Sequence, residues 1–209
     1  MKARVLTLIL VAAAVLAATS ALPDTARAIN PTQTTATGVV NYEFRDLAAF
    51  WGGQQPGVRY YNYYANGQLV VYNTPCGSTL NNHGTQGFYC PPSRTIYLDH
   101  TQQQGNLNRF GDGAVGFWLA HEYGHHVGTI YSQTRANPNN ELLADCFAGM
   151  YVRYGVTRSY RLFYNDYLEA RKQIWALGWD LTHGTPQQRL NAFDRGYSNG
   201  TWAGCITAY

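Results

Sequence analysis

Two histidines four residues apart, the first followed directly by a glutamate, close an apolar run: Gly113-Ala114-Val115-Gly116-Phe117-Trp118-Leu119-Ala120 leads into His121-Glu122-Tyr123-Gly124-His125. On a helix, residues four apart lie one turn apart on one face, so both imidazoles can close on a single ion. Glu122 lies about 100° round the same helix, within reach of a water on that ion without ligating it. Two imidazole donors with a carboxylate base beside them point to a Zn2+ site and to hydrolysis by an activated water.

Such a site needs a third protein donor and a position left for water. Fourteen residues beyond His125, Asn139-Asn140-Glu141-Leu142-Leu143-Ala144-Asp145-Cys146-Phe147-Ala148-Gly149 opens a second helical pattern with two Asn residues as candidate N-caps. Glu141 and Asp145 share a face of it. In this ExxxD arrangement Glu141 completes a His2Glu set, and Asp145 accepts the spare ring N–H of a ligand histidine. The plainer alternative makes both of them solvent-facing acids at the positive end of a helix dipole. A rival third ligand is Tyr131, which falls where the pattern HExxHxxGxxH has its last histidine, with Gly128 in the glycine position. A neutral tyrosine is a poor zinc ligand beside a carboxylate, so Glu141 is preferred. The oxyanion stabiliser that peptide hydrolysis needs must come from elsewhere in the chain, and Tyr131, His183 and Tyr197 are unranked candidates. His126 points about 100° away from His125 and reads as a structural residue. His83 and His100 read as surface residues.

The segment His121 to Val127, followed by Glu141 to Gly149, resembles the bacterial neutral zinc metallopeptidases. Cys76-Gly77, Gly87-Phe88-Tyr89-Cys90-Pro91-Pro92, Thr95-Ile96-Tyr97-Leu98-Asp99, Pro186-Gln187-Gln188-Arg189 and Phe193-Asp194-Arg195-Gly196-Tyr197 are similar to that family's pattern in the same order. The likeness spans about Phe50 to Cys205. It implies a zincin-like fold, zinc and peptide hydrolysis, with His121, His125 and Glu141 as ligands and Glu122 as base. Leu143 and Gly128 stand where the family pattern has glutamine, which bears on substrate preference more than on the metal.

The N-terminus indicates export. Lys2 and Arg4 precede an uncharged stretch from Val5 to Ala18, followed by small residues at Thr19-Ser20-Ala21 and Ala26-Arg27-Ala28. This is the layout of a secretory signal peptide over residues 1–28, with cleavage expected after Ala28 and Ala21 as the other candidate. The apolar core is shorter than the roughly 20 residues of a bilayer span, so no stable membrane insertion is expected. Without residues 1–28, twelve basic and eleven acidic residues remain. That balance argues for neither nucleic acid nor an anionic membrane surface as partner. Four cysteines in an oxidising compartment favour two disulfides, and of three connectivities we expect Cys76 with Cys90 and Cys146 with Cys205.

These groups need a scaffold, and the mature length suits one domain. Residues 29–38 are Thr-rich and read as a loose arm, leaving 39–209 as the domain. A short helix is expected from Asn41 to Trp51. A hairpin is expected from Arg59–Tyr64 and Gln68–Tyr72 about Asn66-Gly67, and a strand over Arg94–Asp99. Helices follow at Gly113–Thr129, from Asn139 to near Gly155, at Arg158–Leu177, and from Thr185-Pro186 with a capping-box pattern at Thr185 and Gln188. Strands first and helices afterwards predict an α+β fold with a small N-terminal antiparallel sheet. The resemblance, with the strand-then-helix order, implies that Thr95–Asp99 borders the cleft as an edge strand able to pair with an extended peptide or protein substrate, the plainer alternative being an interior strand. A different reading makes Tyr60, Tyr61, Tyr63 and Tyr64 an aromatic platform on an extracellular glycan- or cell-wall-binding module that retains a non-catalytic metal site.

Overall fold

A computed structural model describes residues 33–61, 64–65, 68–69, 73–78 and 86–209. The signal segment, residues 29–32 of the arm, Tyr63, Asn66-Gly67 and His83 lie outside the described residues.

The first helix, α1 (Ala36–Phe50), opens where the Thr35 hydroxyl accepts the Gly38 N–H. It starts five residues before the expected Asn41 and so takes in residues 36–38 of the supposed arm. Ala36, Val39, Val40 and Leu47 are buried in the core, and that burial outweighs the Thr-rich local composition.

Three strands form the main sheet: β1 (Gly57–Tyr61), β6 (Gly87–Cys90) and β7 (Thr95–Asp99), in the order β1-β7-β6. β7 runs parallel to β1, with Val58 opposite Ile96, and antiparallel to β6, with Tyr89 also opposite Ile96. The sheet is therefore mixed where an antiparallel one was expected. A parallel neighbour needs a long crossover, which residues 62–94 supply. β7, expected at the edge, is the central strand, buried along its whole length, and cannot take a substrate edge-on. Between β1 and β6, β2 (Tyr64–Ala65) pairs antiparallel with β3 (Gln68–Leu69) on either side of Asn66-Gly67, and β4 (Asn73–Thr74) pairs with β5 (Gly77–Ser78). A hairpin about Asn66-Gly67 was expected and β2 and β3 form one, whereas Gly57–Tyr61, part of which was assigned to it, pairs with β7 instead. Tyr61 is buried and Tyr60 sets its ring edge-on to His100 at 6.0 Å, so packing already accounts for half of the aromatic platform.

α2 (His100–Phe110) was not expected. Asp99 caps it, accepting the Thr101 and Gln102 N–H groups at 2.9 and 3.2 Å. Its Gln- and Asn-rich sequence hides the amphipathic pattern, because the buried residues are Gln103 and Asn106. α3 (Asp112–Ile130) runs through the centre, and from Gly113 to Gly128 every residue but His125 is buried. Around it pack α1, α2, α4 (Asn139–Tyr154) and α5 (Tyr164–Ala176). Phe117, Leu119 and Tyr123 of α3 join Leu143, Phe147 and Tyr151 of α4 in one core.

The expected helix from Arg158 begins only at Tyr164. Gly155–Ser159 prolongs α4 as a π-helical turn, Tyr160 takes a left-handed conformation at φ 55°, and the Asp166 carboxylate caps the new start by accepting the Phe163 N–H at 2.7 Å. α6 (Pro186–Asn199) opens with the expected capping box, in which Thr185 and Gln188 exchange hydrogen bonds. It lies directly against α4: a Cβ at Gly149 would sit 2.0 Å from the Phe193 carbonyl oxygen, and one at Gly196 1.9 Å from that of Cys146. α7 (Trp202–Ile206), also unexpected, is tied to α4 by the Cys146–Cys205 disulfide, and Cys76–Cys90 joins the β4–β5 turn to β6. Both pairings are the expected ones. The result is a single α+β domain with the sheet at one side of a helical body.

Candidate metal centre

α3 presents His121 and His125 one turn apart, and α4 crosses α3 between them. Gly124 permits the crossing, since a Cβ there would already lie 3.0 Å from the Ala144 carbonyl oxygen. The crossing brings the first turn of α4 onto the histidines. Glu141 Oε2 lies 3.2 Å from His121 Nε2 and 3.1 Å from His125 Nε2, and the two imidazole nitrogens are 3.2 Å apart. Three donors at the corners of a nearly equilateral triangle fit one tetrahedral ion, because bonds of about 2.0–2.1 Å put neighbouring ligands about 3.3 Å apart. These nitrogen and carboxylate donors are the types that zinc takes in hydrolytic sites.

The ligand candidates are held from behind. His121 Nδ1 lies 2.8 Å from Asp145 Oδ1, the partner read from the i, i+4 spacing of Glu141 and Asp145. Arg189 of α6 then donates to both oxygens of Asp145, Nε to Oδ2 and Nη2 to Oδ1, each at 2.8 Å. Asp145 and Arg189 are both fully buried. The Asn140 amide lies 3.2 Å from His125 Nδ1, and its oxygen accepts the Arg135 N–H, so Asn140 acts on the site and does not cap α4.

Charge converges on the same point. Burial opposes ionisation of Glu141, but hydrogen bonds from both histidines and their charge outweigh it and hold the carboxyl far below its usual range. Burial also opposes charge on His121, but Asp145 and Glu141 overcome it and carry the imidazole up to about 10. Burial raises the Glu122 carboxyl, against the pull of His121 and His125. Glu141 therefore stays ionised against the two rings, a negative charge aimed where a cation would sit.

The centre opens into a cleft of about 340 Å³ whose walls include Gly87, Tyr89, Glu122, His125, Glu141 and His183. Among the oxyanion candidates only His183 comes here, with Nε2 3.6 Å from Glu141 Oε2. Asp180 fixes it, taking Nδ1 at 2.8 Å and the His183 backbone N–H at 2.7 Å. Tyr131 caps the end of α3 and sets its ring edge-on to Trp202, in a separate hollow with Phe50 and Trp51. Tyr197 stacks on Tyr167 at 4.0 Å, on the side of α6 that faces α5. Neither of the two reaches the cleft. His126 is buried as a structural residue, with Nδ1 2.9 Å from the Tyr89 hydroxyl.

The open edge belongs to β6. The Asp99 N–H of β7 donates to the Gln86 carbonyl, so by strand alternation Gly87 and Tyr89 turn their main-chain groups away from β7, toward the cleft. The Tyr89 N–H hydrogen-bonds Glu122. Asp180 and Arg189 had no role assigned from sequence, and Asn140 only that of a candidate N-cap. Only Arg189 had a signal, as the last residue of the Pro186–Arg189 motif.

A family model described as "Putative neutral zinc metallopeptidase" matches residues 17–208. The chain is 30% identical over 218 aligned residues to "Uncharacterized protein YpfJ" of Escherichia coli (strain K12), covering 87% of this chain and 74% of that one. It is 29% identical over 165 residues to "Uncharacterized protein Rv2575" of Mycobacterium tuberculosis (strain ATCC 25618 / H37Rv), covering 61% and 56%. No solved structure matches.

Proposed function

The chain belongs to the neutral zinc metallopeptidase family, and from that membership we propose that it is a secreted zinc peptidase that hydrolyses peptide bonds with Glu122 as general base. The observation that carries the reading is the donor triangle of His121, His125 and Glu141 at 3.1–3.2 Å, with Glu122 beside it at the floor of an open cleft. These three side chains would hold the ion. Zinc, when bound, supplies Lewis acidity that activates water near neutral pH and polarises a carbonyl.

The rest of the chemistry falls to the chain's own groups. Glu122 accepts the proton of the attacking water and returns it to the leaving amine; its burial, which raises the carboxyl above its ordinary range, makes it a stronger base for that task. His183, steadied by Asp180, is the group that donates to the developing oxyanion. The main-chain groups of Gly87 and the Tyr89 carbonyl on β6 align an extended substrate, replacing the role first expected of β7. Export is supported by the two disulfides. Among the described residues no helix is long and apolar enough to cross a membrane.

The test compares wild type with Glu122→Gln on casein and on a peptide library. Cleavage by wild type and its loss in the variant, with zinc retained by both, is the expected result. Equal cleavage by the two proteins, or zinc-loaded wild type that cleaves nothing while retaining glycan, would overturn the reading.

A further inference from the structure

We propose that Arg189 is a positioning residue for this metal centre, holding Asp145 so that His121 presents Nε2 to the ion. The inference rests on the peptidase reading and deepens it. Asp145 spends both of its oxygens on a forked guanidinium and one of them also on His121, each at 2.8 Å. An imidazole on a carboxylate that could itself rotate would be poorly aimed, and the two-point fork removes that rotation. The guanidinium in turn is wedged over the rings of Phe117 and Trp118, at 5.9 and 6.0 Å, and the same two rings flank His121 at 5.9 and 5.8 Å. Arg189 and His121 therefore share one aromatic seat.

A purely structural role explains this placement poorly. Buried ion pairs are weak stabilisers, because desolvation offsets their attraction. The helices that Arg189 and Asp145 join already have a backbone-to-backbone contact at Gly149 and Gly196, and the disulfide from Cys146 to Cys205 anchors α4 beside it. What only Arg189 supplies is a fixed orientation for the carboxylate behind the ligand. It also enters in the first turn of α6, just after the segment carrying Asp180 and His183, and the field of Asp180 reaches it. One guanidinium thus ties the acid from α4, and through it the ligand from α3, to the first turn of α6.

The experiment compares wild type, Arg189→Lys, Arg189→Met, Asp145→Asn and the double variant Asp145→Asn/Arg189→Met. Each is checked for folding by circular dichroism. Zinc dissociation constants are then measured by chelator competition, and the cobalt-substituted proteins by their visible spectra. Loss of a group behind a ligand typically weakens metal binding about 10- to 100-fold. Arg189→Met and Asp145→Asn should each fall in that range, and the double variant should bind no more weakly than Asp145→Asn alone. Arg189→Lys keeps the charge but not the fork, so its zinc affinity should drop and its cobalt bands shift. Wild-type zinc affinity in the Lys variant with an unchanged cobalt spectrum would overturn the proposal, whether or not Arg189→Met folds. So would losses that multiply in the double variant. A wild-type protein that binds no zinc would instead bring down the peptidase reading beneath it.

Discussion

The two disulfides close loops of very different length, and the fold should feel that difference when each is removed. Cys146 and Cys205 are 59 residues apart, and Cys76 and Cys90 are 14 apart. In the chain-entropy account, a cross-link limits the unfolded chain by an amount that grows with the logarithm of the loop. That gives about 4 kcal/mol for the longer loop and about 3 for the shorter. Release of the longer one also frees α7, whose Trp202 stacks on Phe147 at 4.8 Å, so the gap should widen, not close. The comparison uses Cys146→Ala/Cys205→Ala and Cys76→Ala/Cys90→Ala, unfolded in urea with chelator present so that metal binding does not enter the balance. The first pair should lose at least about 1 kcal/mol more than the second. A larger loss from the short loop, or a long-loop variant as stable as wild type, would refute the reasoning.

Other outcomes follow from single contacts. Gly196→Ala sets a methyl 1.9 Å from the Cys146 carbonyl oxygen and should cost about 3 kcal/mol or more in urea unfolding, whereas Gly105→Ala, with nothing within 4 Å, should stabilise α2 by roughly 0.5–1 kcal/mol. Burial lifts the Asp166 carboxyl to about 7, with Asp112 and Glu169 adding to the effect. The folded chain therefore keeps a proton that the unfolded chain gives up, and stability should fall as pH rises from about 4 to about 7. Asp166→Asn should remove that slope, gaining on wild type at pH 8 relative to pH 5; parallel profiles by urea unfolding would contradict it. His183→Ala should lower kcat about 10²- to 10³-fold with zinc content unchanged, while Tyr131→Phe and Tyr197→Phe should leave peptide cleavage near the wild-type rate.

The parts of the molecule that could be read directly from the chain are those where local chemistry decides. The i, i+4 pairs on α3 and α4 are fixed by helix geometry, so His121, His125, Glu141 and Asp145 meet as their spacing implies. Thr185 and Gln188 cap α6 through bonds three residues apart. Asn66-Gly67 likewise implied the hairpin that β2 and β3 form. The failures lie where distant partners decide. β7 shows the same residues whether it stands at an edge or in the middle, and only its pairing with β1, reached across residues 62–94, makes it central. α2 buries Gln103 and Asn106, which no hydrophobic pattern could reveal. Tyr131 and Tyr197 are close to the site in sequence or motif, but helix phase turns both away, and Arg189 turns inward because α4 and α6 touch at their glycines.

The most direct test of the central claim is zinc K-edge X-ray absorption on the purified chain, read together with metal content. One zinc per chain is expected, bound by two imidazole nitrogens and by oxygens at about 2.0–2.1 Å that include a solvent ligand. A chain that takes up no zinc, or a zinc ion enclosed by four protein donors with no solvent among them, would contradict the account.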